Sequence, residues 1–204
     1  MAEPTAPGHI DPAPPPDDCA RVLADAFARE PAVSWICGDS PVTRRRWFAA
    51  TLHAQATVPG ARHYLLTDRT THPAGAAVLT PPATPPSPGA RARWATRTLT
   101  LCGPRTLGRT LRYLHATESA VPEGAWVLEF IGITPTAAGR GAGRRLLDRL
   151  IADTPPTAGI FLSTADPANV PLYTRFDFEP LHRLAVGPLS VTLMHRAAGR
   201  GARP

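Results

Sequence analysis

The stretch that most constrains the fold is Ala125 to Ile151, AWVLEFIGITPTAAGRGAGRRLLDRLI. Trp126 to Ile133 is a nearly unbroken apolar run with one charge, Glu129, and Thr134-Pro135 closes it. Gly139, Gly141 and Gly143 then alternate with other residues. From Arg144 onward Leu146, Leu147, Leu150 and Ile151 recur at helical spacing. A short apolar run bounded by turn residues, followed by a 3.6-residue period, predicts a buried strand, a tight loop and a helix.

That order favours an anionic guest. The first turn of a helix leaves amide N–H groups unpaired, and the aligned peptide dipoles add positive potential there. Glycines clear away side chains that would hold a phosphate off those amides, and Arg140, Arg144 and Arg145 bring mobile positive charge to the same place. A nucleotide P-loop requires GxxxxGK followed by Ser or Thr, and the chain contains no lysine. The dinucleotide spacing GxGxxG is also not met, because the glycines alternate and an arginine follows.

The segment Ala138-Gly139-Arg140-Gly141-Ala142-Gly143 resembles the acyl-CoA loop of the GCN5-related N-acetyltransferase (GNAT) family, with Ala138 where Gln or Arg is usual. A second stretch, Phe161 to Pro180, resembles the end of the same family. There a strand is followed by N-x-x-x-Y and a Gly-Phe pair, matched here by Asn169, Tyr173 and Asp177-Phe178. Aspartate is among the better substitutes for glycine at a positive φ. The resemblance implies a mostly antiparallel mixed sheet, splayed where the coenzyme lies, with helices on both faces. It also implies acetyl-CoA as co-substrate, bound at the main chain of Ile131, Gly132 and Ile133, by the loop Ala138 to Gly143 with Arg144, and by Asn169. Direct attack of an amine on the thioester is the implied reaction, with an oxyanion donor at a main-chain N–H near Ile131 or Ile133.

Two side chains are candidates for proton transfer. Glu129 is the candidate base, because a carboxylate inside an apolar strand is pushed toward a neutral-range pKa. Its alternatives are a structural ion pair or a binder of the substrate ammonium. On a regular strand Glu129 shares a face with Ile131, unless a bulge at Gly132 intervenes. Tyr173 is the candidate acid toward the leaving thiolate, since a phenol is protonated at neutral pH; a packed tyrosine is the alternative. For Asn169 the alternative is a helix cap. The implied activity is N-acetylation of a small amine, an antibiotic or an aminoacyl or aminonucleoside compound, with resistance or self-protection as the outcome. Acetylation of a peptide N-terminus, a non-catalytic CoA-binding module and a nucleic-acid binder are the rivals.

Composition bears on these rivals. The 204 residues suit one domain with a single substantial core. The formal charge is +6 with every basic residue an arginine, and their scattered placement lacks the interleaved aromatics of a base-stacking surface. Cys19, Cys37 and Cys102 are widely spaced and odd in number, which fits neither a disulfide framework nor a zinc site. They read as reduced thiols of a cytoplasmic protein. The proline-rich start has no basic and apolar signal pattern, and no apolar stretch approaches membrane-spanning length. No histidine pair shows metal-ligand spacing, so the histidines read as surface or satisfied core residues and no metal is expected. The protein is expected as a monomer or homodimer with acetyl-CoA and a small amine as partners, without nucleic acid or membrane.

The rest of the chain fills in around this centre. Residues 1–16 read as a flexible segment with a short strand at His9 to Asp11, residues 17–196 as one GNAT-like domain and residues 197–204 as a frayed tail. A helix capped by Asp17 or Asp18 runs to about Arg29 and is stopped by Pro31. Pro41 to Ala56 is a second helix. Arg62 to Thr67 and Ala74 to Thr80 form a strand pair. Arg91 to Thr117 offers one or two helices broken at Cys102-Gly103-Pro104, their arginines forming either a solvated face or a lid over an acceptor pocket, near Tyr113 and His115. Gly159 to Thr164 is a strand, Asn169 to Phe176 a short helix, and Leu181 to Val186 pairs with Leu189 to Arg196. The order gives a mixed α/β sheet covered on both faces.

Overall fold

The computed structural model describes residues 8–82, 84 and 86–199. The first seven residues of the expected flexible segment and the end of the expected frayed tail, 200–204, lie outside the described residues. Seven strands form one sheet: β1 (Ile10–Asp11), β2 (Arg62–Thr67), β3 (Pro73–Thr80), β4 (Trp126–Ile133), β5 (Ile160–Thr164), β6 (Glu179–Val186) and β7 (Leu189–Arg196). Their spatial order is β1-β2-β3-β4-β5-β7-β6. Every neighbouring pair is antiparallel except β4 with β5.

Strand periodicity sorts the core into layers. From β2, Tyr64 and Leu66 join one apolar cluster with Leu79, Leu128, Leu162 and the leucines 146, 147 and 150 of helix α6 (Ala142–Asp153). The intervening Leu65, with Ala76 and Val78 of β3, faces the other side, against helices α1 (Pro16–Ala26) and α3 (Pro41–Gln55). A third cluster, with Phe161, Val191 and Leu193, lies beneath helix α2 (Pro31–Cys37) and Tyr113 of α5 (Pro104–Glu118). Helix α4 (Pro88–Cys102) precedes α5, and Gly103 at φ 88° separates them. The short helix α7 (Val170–Thr174) follows a 3-10 turn at Pro167–Asn169.

Three expectations change. The first helix is shorter than expected and its cap is not an aspartate: Pro16 opens it and no side chain caps it. Pro31 opens a helix of its own rather than only ending the one before, because Glu30 caps α2 by accepting from the Val33 amide at 2.7 Å. His63 is buried, yet neither ring nitrogen has a partner among the described residues; burial pushes its pKa down, so the ring is held neutral. The three cysteines are free, and burial pushes the Cys19 and Cys37 thiols up to about 12.

Candidate active site

The sheet opens along β4. Residues Trp126, Val127 and Leu128 pair with Ile160, Phe161 and Leu162 of β5, and the pairing stops there. Beyond Leu128, β4 keeps only its β3 neighbour, through Phe130 to Ile133, while Ser163 and Thr164 of β5 pair with β7 alone. One main-chain edge of Ile131 and Ile133 therefore faces the cleft. Unpaired strand groups demand partners, so this edge is suited to an extended amide-bearing ligand.

The strand leads directly into the glycine loop. The Thr134 amide donates to the Ala74 carbonyl at 2.9 Å, pinning the loop's start to β3, and Pro135 begins a 3-10 turn. Gly139 and Gly141 have φ of 75° and 76°, and a side chain at either would meet open space. Gly141 stands at the N-cap of α6, where no side chain caps the helix. A missing cap costs on the order of 1 kcal/mol. Burying the Leu146, Leu147 and Leu150 side chains contributes on the order of 1.5–3 kcal/mol each, so packing holds α6 and its first-turn amides stay open. Arg140 is exposed. Arg144 pairs loosely with Asp148 at 3.7 Å. Arg145 is diverted from the loop: its guanidinium donates to the Gly8 carbonyl.

Glu129 lies where the β3–β4 register breaks. Val78 is opposite Phe130 and Leu79 opposite Leu128, which leaves Glu129 as the extra residue of a bulge. The bulge intervenes at Glu129 itself rather than at Gly132. Its consequence is a change of face. Ile131 packs with the α6 layer and Phe130 with the α1–α3 layer. Glu129 sits on the Phe130 side, where its Oε1 accepts a 2.7 Å hydrogen bond from Thr80 Oγ1. Burial pushes the carboxyl up to about 7; the Thr80 bond pulls it back and the Glu118 charge adds to the rise. The group is thus balanced between its acid and base forms near neutral pH.

Tyr173 is in the α6 layer, its ring 5.8 Å from that of Phe178. Burial pushes its pKa well above that of an ordinary phenol, so its hydroxyl stays protonated. Asn169 occupies the N-cap position of α7 without capping it; its side-chain amide donates to Thr164 Oγ1 at 3.4 Å. Asp177 has φ 64°, which explains aspartate at a position where the resembled family uses glycine.

Sequence periodicity missed the threonines that α5 buries, whereas the sequence already places Tyr113 and His115 near a candidate acceptor pocket. Thr106, Thr110 and Thr117 bury one face of this helix, and Trp47 Nε1 donates to Thr110 Oγ1 at 2.9 Å. Tyr113 points inward to Ser163 on β5, with the two hydroxyls 3.0 Å apart, and its pKa is pushed up to about 12 by burial. His115 is exposed. Glu30 acts on both Tyr113 and Tyr173 electrostatically, and its own carboxyl is raised by burial. In the sequence Glu30 stands directly before Pro31, a capping position. Arg91, Arg93 and Arg97 of α4 are exposed.

No protein-family model matches the chain, and no curated protein matches its sequence. Solved structures do match. A histone acetyltransferase HPA2 and related acetyltransferase from Corynebacterium glutamicum aligns with TM-score 0.69 at 20% identity, over 97% of this chain and 99% of that one. Arylalkylamine N-acetyltransferase 2 from Aedes aegypti aligns with TM-score 0.62 at 11% identity, over 93% and 98%. A GNAT superfamily phosphinothricin acetyltransferase from Sinorhizobium meliloti, in complex with AcCoA, gives TM-score 0.57 at 14% identity, over 96% and 91%. At these identities the likeness is one of fold: the chain has the mixed α/β fold of GNAT acetyltransferases.

Proposed function

We propose that this chain is an acetyl-CoA-dependent N-acetyltransferase that acts on the amine of a small molecule. The observation that carries the proposal is the parting of β4 from β5 after Leu128, at the head of a glycine loop and an uncapped helix. These residues fit the coenzyme. The free edge of Ile131, Gly132 and Ile133 offers partners for its pantetheine amides, and the loop Ala138 to Gly143 with Arg144 offers main-chain N–H groups and charge for its pyrophosphate. Asn169 is a further contact from the far side of the cleft. Acetyl-CoA supplies an acetyl group activated as a thioester.

The chain's own residues then divide the proton work. Glu129, raised toward neutrality on the α5 side, takes a proton from the acceptor ammonium, directly or through water. A main-chain N–H near Ile131 or Ile133 steadies the developing oxyanion. The Tyr173 hydroxyl holds the proton that the departing sulfur requires. Residues 17–196 form the catalytic unit.

An antibiotic or an aminoacyl or aminonucleoside compound is the favoured acceptor class. Three stretches, DAFAREP, AWVLEFIGITP and PANVPLYTRFDF, resemble puromycin N-acetyltransferase, although Ser163 stands where that resemblance calls for glutamate. Capping an amine removes a positive charge that a drug target reads, which suits resistance or self-protection in the cytoplasm. Calorimetry with acetyl-CoA, followed by measurement of released CoA over small amines and peptides, tests the proposal. Binding with turnover of small amines is expected. Turnover of peptides alone assigns the chain to N-terminal acetylation, binding without any turnover makes it a non-catalytic module, and absence of binding removes the proposal altogether.

A further inference from the structure

A concave pocket of about 460 Å³ lies between α2, α5 and the β6–β7 turn, away from the glycine loop. Arg105, Arg109 and Arg112 line it, together with Trp35 and the Gly187-Pro188 turn, and no carboxylate does. At spacings of four and three residues these arginines share one flank of α5. The ion pairs among the described residues involve other side chains, so all three charges lack a carboxylate partner. Arg109 is held in place: its guanidinium donates to the Trp35 carbonyl and lies 5.3 Å from the centre of the Trp35 ring. Arg105 occupies the first turn of α5, which contains no acidic residue. A cation there is opposed by the helix dipole, so the local field is positive from two sources and gains from an anion.

We propose that this pocket binds the anionic group, a carboxylate or a phosphate, of the same small molecule whose amine reaches Glu129. The proposal rests on the acetyl-transfer function proposed above and adds the chemical class of the acceptor. Helix α5 links the two places. Its arginine flank begins at Arg105, Tyr113 lies one turn beyond Arg109, and Glu118 at the far end is the charge that adds to the rise of Glu129. Nine residues of helix separate Arg109 from Glu118, on the order of 14 Å at 1.5 Å per residue. Arginine forks suit the oxygens of carboxylates and phosphates, and a pocket of this size suits part of a small ligand rather than a polymer. An acceptor with an amine at one end and an acidic group at the other, such as an aminoacyl or aminonucleoside phosphate, fits this layout.

The test uses the full chain saturated with CoA, so that the acidic probes cannot occupy the coenzyme's own phosphate cradle. Aminoundecanoic acid, aminodecyl phosphate and the neutral aminoundecanamide are titrated by calorimetry into the wild type and the double variant Arg105→Ser/Arg112→Ser. Both substituted side chains are exposed, and an unchanged CoA affinity reports that the variant is folded. The acid or the phosphate should bind the wild type at least about tenfold more tightly than the amide, the tighter of the two naming the group. The double variant should lose that preference. Equal affinity for all three probes, no binding of any, or a preference that survives in the double variant overturns the proposal. Absence of heat with CoA itself would instead defeat the acetyl-transfer function, while the probe titrations would still report on the pocket.

Discussion

Thr80 Oγ1 donates a 2.7 Å hydrogen bond to Glu129 Oε1 across the bulge that joins β3 to β4. A donor that favours the ionised carboxylate opposes the burial that favours the neutral acid, and the balance lies at about 7. If Glu129 is the base, kcat rises with pH through about 7. Glu129→Gln should lower kcat by roughly 10²–10⁴-fold and remove that acidic limb. Thr80→Val should move the limb to higher pH, because it deletes the bond that stabilises the charge. Glu118→Gln should move it slightly the other way, since the Glu118 charge raises Glu129. A pH–rate profile of the three variants checks this; an unchanged limb in Glu129→Gln excludes Glu129 from proton transfer.

The same shift has a stability consequence of definite sign. Unfolded, Glu129 titrates near its ordinary 4.5, and folded it titrates at about 7. Between those values the folded chain binds more protons, so its contribution is full below about 4.5 and is lost as pH rises through 7. Glu129→Gln should therefore melt higher than wild type at about pH 8, and the difference should vanish at about pH 4. Thermal denaturation at the two pH values reads this directly.

Tyr173 is protonated and packed against Phe178. Tyr173→Phe keeps the ring and removes the proton. It should reduce kcat by about tenfold or more while changing acetyl-CoA affinity little. The opposite pattern, weaker binding with normal turnover, would make Tyr173 a binding residue only.

Two glycines should fail in different ways. A Cβ on Gly132 would come within 2.8 Å of Ala26 Cβ and of Phe27 Cε2, in the contact between β4 and α1. Gly132→Ala should cost about 1–3 kcal/mol of stability through overpacking. Gly141 has open space but φ 76°. Gly141→Ala should cost only about 1–2 kcal/mol in backbone strain, yet weaken acetyl-CoA binding by about tenfold by crowding the amide cradle. Melting temperature and calorimetric Kd, measured on both variants, separate the two effects.

Local sequence determined a good deal. The apolar run Trp126 to Ile133, the alternating glycines and the leucines of α6 each encode an element by their own spacing, and the fold contains all three in that order. Asp177 was likewise legible, because few residues other than glycine tolerate its φ of 64°. Only tertiary structure decided the face that Glu129 takes. That depends on a one-residue mismatch in register between β3 and β4, and register is set by hydrogen bonds between strands distant in sequence. It also decided that Tyr113 meets Ser163, 50 residues away, and that three arginines on α5 line a pocket with Trp35 of α2 instead of a plain solvated flank. Periodicity reports how each element divides between inside and outside. It carries no information on which elements meet across the core, because those contacts are chosen by packing among segments far apart in the chain.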